Sequence, residues 1–131
     1  MYETGRATGE RATATVEFAL VLPLVLLLVL ALLEVGLLVK DRLVLEGSAR
    51  AGAREAAVST DDATVRQAVM AAATSLDTDA IDVVVTREGS AGTAVTVAVD
   101  YHAAVSVPFV DWLFPSVVDL RASAVMRQET G

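Results

Sequence analysis

Hydrophobic residues form one long, nearly uninterrupted run near the start of the chain. Residues 18–39 read FALVLPLVLLLVLALLEVGLLV, in which Glu34 is the only charged residue. A helix of 22 residues is about 33 Å long, close to the thickness of a bilayer's hydrocarbon core. The run is apolar on every face, unlike the one-sided pattern of a helix in a soluble core. We therefore predict a transmembrane helix over residues 18–39, with a kink at Pro23, whose ring removes a backbone donor.

A cleaved secretory signal is the alternative interpretation of this run, with a small-residue site near Ala49. Secretory apolar regions usually extend over about 7–15 residues, and this one is longer and contains Glu34. The length therefore favours a membrane span. We expect the Glu34 side chain to extend toward the membrane surface, because an isolated carboxylate is costly in hydrocarbon.

After residue 39 the sequence changes from large to small residues. No proline interrupts the segment up to Val58, so we predict that the first helix continues to that point. Its glycines, alanines and serine permit close helix packing, either between subunits or, as we favour, against this chain's own sheet. Ser59 and Asp62 have capping-box spacing and predict a second helix that ends near Leu76.

Alternating apolar and polar residues then predict three strands, over residues 81–87, 93–107 and 118–126. One face of each strand is apolar, so an antiparallel sheet should place this face against the helix. The sequence thus predicts an α+β fold. The segment between the last two strands, PFVDWLFP at residues 108–115, holds three aromatic residues between two prolines. It could cap the sheet core, enter the membrane interface or contact another subunit.

The composition limits the kinds of binding site and catalytic site that the chain can form. The chain has 131 residues, no cysteine, one histidine and a formal net charge of -7. These counts exclude a disulfide framework and a cysteine zinc site, and the acidity argues against nucleic-acid binding. The acidic segment DTDAID, residues 77–82, does not have the ligand spacing of an EF-hand calcium loop, because Ile81 occupies the fifth position. His102 and Asp100 lack a matched nucleophile, so we interpret them as a surface pair and expect no catalytic residue, metal or cofactor.

The boundary of the apolar run carries a more specific pattern. Residues 14–23 read ATVEFALVLP, with Glu17 near the start of the apolar helix and the charged pair Glu10-Arg11 upstream. This sequence resembles that of the TadE-like pseudopilins of tight-adherence type IV pilus systems. The end of the first helix, GSARAGAREAAV at residues 47–58, and the terminal strand, ASAVMRQE at residues 122–129, are similar to that family as well.

The resemblance implies a pilin-like fold, processing and assembly. In the family, a prepilin peptidase cuts just before the apolar segment, which places the cut between Ala12 and Thr13. Ala12 stands where the family usually has glycine. Glu17 would then be the fifth residue of the processed chain, and the resemblance favours its pairing with the free amine of a neighbouring subunit. From the residues alone, extension of its side chain to the membrane interface is the alternative. The expected partners are membrane lipid, the peptidase, other pilins or pseudopilins and the assembly platform, with no small-molecule substrate.

These expectations divide the chain into a cytoplasmic leader (residues 1–17), a transmembrane helix (18–39) and an extracytoplasmic domain (40–131). They predict a minor pseudopilin that acts in pilus assembly at the cell membrane. The alternative is an unprocessed single-pass anchor that displays a small binding or adhesion domain. The distribution of basic residues opposes an extracytoplasmic position of residues 40–131, because the flank with more Lys and Arg usually lies in the cytoplasm. Two basic residues precede the span and four follow it: Arg6 and Arg11, then Lys40, Arg42, Arg50 and Arg54.

Overall fold

The structure is a computed structural model that describes the backbone of residues 4–130 and the side chains of residues 9–130. A long helix, α1 (Thr4–Val58), is followed by a short helix, α2 (Asp62–Ala72), and a 3-10 turn (Thr78–Ala80). Strands β1 (Ile81–Arg87), β2 (Ala94–Ala104) and β3 (Val117–Arg127) complete the fold. The predicted α+β class is confirmed.

Helix α1 is continuous over its 55 residues and passes through Pro23 without ending. Its length is about 80 Å, far more than a bilayer requires, so much of it must lie outside any membrane. The helix ends at Val58, as predicted, and the amide of Ser59 donates to the carbonyl of Glu55 at 2.9 Å.

The predicted capping box at the start of α2 is wrong. Asp61 is the N-cap residue, and its carboxylate accepts from the Ala63 amide at 3.0 Å and from the Thr64 hydroxyl at 2.8 Å. These hydrogen bonds, that from Thr64 foremost, hold the pKa of Asp61 below its usual value. Asp62 is the first residue of the helix and pairs with Arg87 of β1. The helix also ends at Ala72, four residues before the predicted end at Leu76.

The three strands form one antiparallel sheet in the order β1-β2-β3. Val99 of β2 lies opposite Val83 of β1 and Ala122 of β3. Alternate residues of β2 are buried on the face toward the helices, as the alternation predicts, namely Val95, Val97, Val99, Tyr101 and Ala103. Strand β2 ends at Ala104 rather than at residue 107: the Val105 amide still donates to the Ser116 carbonyl, and the amides of Ser106 and Val107 donate to a side chain of α1.

The small residues of α1 pack within this chain. Gly52 is buried, and a Cβ atom at that position would lie 2.5 Å from Val69 of α2 and 3.1 Å from Val97 of β2. Hence α1, α2 and the sheet meet at a point where no side chain fits. The favoured prediction of packing against this chain's own fold is confirmed, with α2 as an additional partner. Around this point lies the core, which includes Leu45, Ala49, Ala53, Ala56, Val65, Val95 and Val99.

Candidate assembly surface on the first helix

The N-terminal part of α1 is free of the rest of the fold. Every described side chain from Gly9 to Leu26 is exposed, although most of them after residue 15 are apolar. From Leu27 onward the folded domain covers one stripe of the helix, which includes Leu27, Leu30, Ala31, Glu34 and Leu38. The helix is long and apolar enough to cross a membrane, which indicates a single-pass membrane anchor.

The residues predicted for processing and subunit pairing all lie on this free segment. Ala12, Thr13 and Glu17 are exposed and helical. The Thr13 hydroxyl donates to the Gly9 carbonyl at 3.0 Å, and residues 4–12 belong to the same helix as the segment that follows them. Within residues 9–130 the carboxylate of Glu17 has no ion-pair partner. The sites are therefore presented on the surface, and the roles assigned to them stay predictions.

Pro23 lies inside the continuous helix, six residues after Glu17. It follows the first turns of α1, where its missing amide leaves the carbonyl of Ala19 without the usual helical partner. The predicted position within a membrane-compatible helix is therefore observed. The kink itself stays a prediction.

Glu34 does not extend to the membrane surface, and that prediction is wrong. Its side chain is only 1% exposed. One carboxylate oxygen accepts from the Val107 amide at 2.9 Å and from the Ser106 amide at 3.3 Å, and the other oxygen accepts from Ser106 at 3.4 Å. Paired backbone donors compensate part of the cost of removing a carboxylate from water. Glu34 thus joins α1 to the segment that leaves β2, and we call this contact the Glu34 clasp.

The sequence did contain a signal for the clasp. Glu34 precedes Gly52 by 18 residues, which is about five helical turns, so both residues lie on the same face of α1. Because that face carries the small residues that pack in the core, Glu34 lies toward the fold and not toward lipid. The identity of its donors was not predictable, since Ser106 and Val107 are more than 70 residues away.

The segment after the clasp forms the aromatic loop, residues 108–115. Val110 is buried, and it lines an apolar cavity of about 200 Å³ together with Trp112 and Leu113 of the loop and Leu24, Leu27, Leu28 and Ala31 of α1. Phe109 and Trp112 are 73% and 71% exposed. Val110 is thus buried against α1 and is not part of the core beneath the sheet, while the two aromatic side chains are exposed. The loop lies beside the apolar part of α1, well before residue 40.

His102 belongs to a different surface, the outer face of the sheet. The predicted pair with Asp100 is wrong, because Asp100 lies beside Arg121, at 3.5 Å. His102 instead lies opposite Asp119 in the β2–β3 register, with Nδ1 at 2.6 Å from its carboxylate. That hydrogen bond raises the pKa of His102, and the carboxylate of Asp82 contributes to the same effect. In an antiparallel sheet, directly opposed residues are closer than those two apart on one strand.

Metal chemistry receives no support from the described residues. Among them, no three acidic or histidine side chains are grouped so that they could hold a metal ion. Asp77 in the acidic segment caps the 3-10 turn, where its carboxylate accepts from the Asp79 amide at 3.1 Å.

Comparison with protein families agrees with the resemblance drawn from the sequence. The family model described as TadE-like protein matches residues 12–54, which confirms the resemblance over that segment. The match begins at Ala12 and includes Glu17, Pro23 and Glu34. The matched segment is 43 of the chain's 131 residues, so the similarity to TadE-like proteins covers about a third of the chain. No curated protein and no solved structure matches the chain.

Proposed function

We propose that the protein is a TadE-like minor pseudopilin that acts in assembly of a tight-adherence type IV pilus at the membrane. Residues 18–39 cross the bilayer, residues 40–131 lie outside the cytoplasm, and prepilin peptidase removes residues 1–12. The observation that carries this proposal is the coincidence of the family match with the free part of α1, which is apolar on every face and carries the exposed Glu17.

The free segment requires an apolar environment. Phe18 and Leu20 are both largely exposed on a part of the helix that the folded domain does not reach. A helix that is apolar all around is stable in lipid or in a bundle of similar helices, and not as an isolated element in water. Other pilins and pseudopilins provide such a bundle, and membrane lipid provides the environment before assembly.

Glu17 gives the bundle a defined register. A carboxylate within or at the edge of hydrocarbon costs a few kcal/mol, and such residues usually have a charged or polar partner. Cleavage between Ala12 and Thr13 would create a free amine at the same end of a neighbouring helix. An amine and a carboxylate in a low-dielectric environment attract strongly, so their pairing would set the axial position of one subunit against the next.

The test is replacement of Glu17 by alanine in the protein's own host. We expect the amount of assembled pilus to fall at least ten-fold while membrane insertion persists, because the substitution makes the helix more apolar. Pili sheared from the cell surface and the membrane fraction are measured by quantitative immunoblotting. Glu17→Gln, which keeps the shape and removes the charge, should show the same loss.

Thr15→Val is the matched control, since it removes a polar group two residues away without removing a charge. Its hydroxyl donates only to the Arg11 carbonyl of the same helix, at 2.8 Å. Assembly should therefore continue in this variant. Normal pilus yield with Glu17→Ala would show that this carboxylate has no role in assembly.

A further inference from the structure

We propose that the aromatic loop, residues 108–115, inserts into the membrane leaflet on the side of the folded domain and forms a second lipid contact beside α1. The proposal rests on the proposed membrane insertion of α1. Lipid would then cover the exposed apolar surface of the loop.

Depth along α1 is the first argument. The loop residues Val110, Trp112 and Leu113 share a cavity with α1 residues from Leu24 to Ala31. If the hydrocarbon ends at Val39, these contacts lie about 12–22 Å below its boundary, at about 1.5 Å per residue. If the span instead starts at Thr13 and covers about 30 Å, it ends near Leu32, and the contacts lie about 2–12 Å below that level. Both placements put the loop below the hydrocarbon boundary, and the second, which keeps it in the outer part of the acyl chains, is the one that agrees with the exposed charge of Asp111.

The side chains of the loop suit this environment. Phe109, Trp112 and Leu113 are more than half exposed, and Trp112 and Leu113 line an apolar cavity together with α1. The indole of Trp112 donates to the Phe109 carbonyl at 2.9 Å, so its one polar group is satisfied within the loop. Tryptophan with a satisfied N–H group is typical of the region where headgroups meet acyl chains.

Part of the loop's backbone, and the segment that precedes it, has hydrogen-bond partners within the protein. Pro108 and Pro115 have no amide hydrogen. The amides of Leu113 and Phe114 both donate to the Val110 carbonyl, at 2.8 and 3.3 Å, and the Glu34 clasp binds the two amides that precede the loop. In lipid, irregular backbone is tolerated only where its polar groups find partners within the protein.

Phe109 supports a role outside the fold. Its φ angle is 68°, in the left-handed region that favours glycine. Such a conformation costs a bulky residue about 1 kcal/mol, and the exposed ring recovers little of that cost by packing in the core. Strained residues of this kind are concentrated at functional surfaces. Burial of the ring in lipid would offset the cost.

Asp111 limits the depth of insertion. It is exposed and is the only charged residue of the loop. A carboxylate resists entry into hydrocarbon, so the loop should enter with Trp112 below the headgroups and Asp111 near them. Asp111→Asn should therefore place Trp112 deeper.

Trp112 is the chain's single tryptophan, so its fluorescence reports on the loop directly. The full chain is reconstituted at low density in phosphatidylcholine vesicles that contain lipids spin-labelled either near the headgroup or near the acyl-chain end. We expect blue-shifted Trp112 emission and at least two-fold quenching by the shallow label. In the Asp111→Asn variant, quenching by the deep label should increase.

Two relocated tryptophans, each in a Trp112→Phe background, provide the controls. Leu26→Trp lies on the free part of α1 and should be quenched whenever the helix is inserted. Val84→Trp lies on a half-exposed site of β1 and should stay unquenched. If Leu26→Trp is quenched while Trp112 resembles Val84→Trp, the loop proposal is wrong and the membrane anchor stands. If Leu26→Trp is unquenched, both proposals fail. Blue-shifted but unquenched Trp112 would show a protein partner in place of lipid, which also overturns the proposal.

Discussion

Replacing Glu34 by leucine should lower the free energy of unfolding of the folded domain by about 2–4 kcal/mol. The substitution removes the acceptor of the Ser106 and Val107 amides, which point at a carboxylate that is only 1% exposed, and a donor left without a partner at such a site costs about 1–3 kcal/mol. The loss of stability should appear first in the segment around Ser106 and Val107 and only then in the whole domain. Hydrogen exchange of a peptide covering residues 104–116, measured by mass spectrometry in detergent micelles, should show faster exchange by a factor of ten or more.

Glu34→Gln separates the charge from the hydrogen bonds. The amide side chain retains one carbonyl oxygen that can accept from Val107, so most of the protection should remain. Leu33→Ala is the control at the same level of α1, because Leu33 is exposed and contributes little to the fold. Equal protection of residues 104–116 in the Glu34→Leu and Leu33→Ala variants would show that the Glu34 clasp does not hold the loop.

Gly52→Leu should destabilise the fold by about 3 kcal/mol or more, at the upper end of the cost of overpacking a core. Even the first carbon of the new side chain would lie 2.5 Å from Val69 and 3.1 Å from Val97, and the rest would have no space. Gly52→Ala should lose less, since the gain in helix propensity of about 1 kcal/mol offsets part of the clash. The denaturant midpoint in micelles measures both effects.

Gly47 provides a matched comparison on the same helix. A Cβ atom at Gly47 would have no neighbour within 4 Å. Gly47→Ala should therefore stabilise the fold by about 0.5–1 kcal/mol, and Gly47→Leu should leave it nearly unchanged or slightly more stable. The same substitution thus has opposite effects five residues apart. Similar changes at both glycines would contradict the close approach of α1, α2 and β2 at Gly52.

Local patterns predicted the elements, and non-local contacts determined where the predictions failed. Period-two alternation located the three strands, and the apolar run located the membrane-compatible part of α1, because both signals come from neighbouring residues. The capping box at Ser59 failed because Asp61 caps the helix, which leaves Asp62 as its first residue, paired with Arg87 25 residues away. Likewise, β2 ends before residue 107, where the amides of Ser106 and Val107 donate to Glu34, more than 70 residues away.

In the candidate site, too, the residues that depend on local sequence were predicted and those that depend on distant contacts were not. Ala12, Thr13, Glu17 and Pro23 were chosen from a short stretch of sequence, and the structure places them together on the free helix. The predicted position of Glu34 is wrong because its charge alone does not determine its direction: it lies on the same face of α1 as Gly52, which packs in the core. The cross-strand partner of His102 depends on the β2–β3 register, which alternation along one strand does not specify.

The central claim is that the chain is processed as a pseudopilin. The most direct test is the intact mass of the protein extracted from the membranes of its own host, with and without the host's prepilin peptidase. We predict a chain that starts at Thr13 when the peptidase is present and a chain that retains residues 1–12 when it is absent. A full-length chain in both strains would contradict the claim and favour an unprocessed membrane anchor, and a start near Gly52 would identify the apolar run as a cleaved secretory signal.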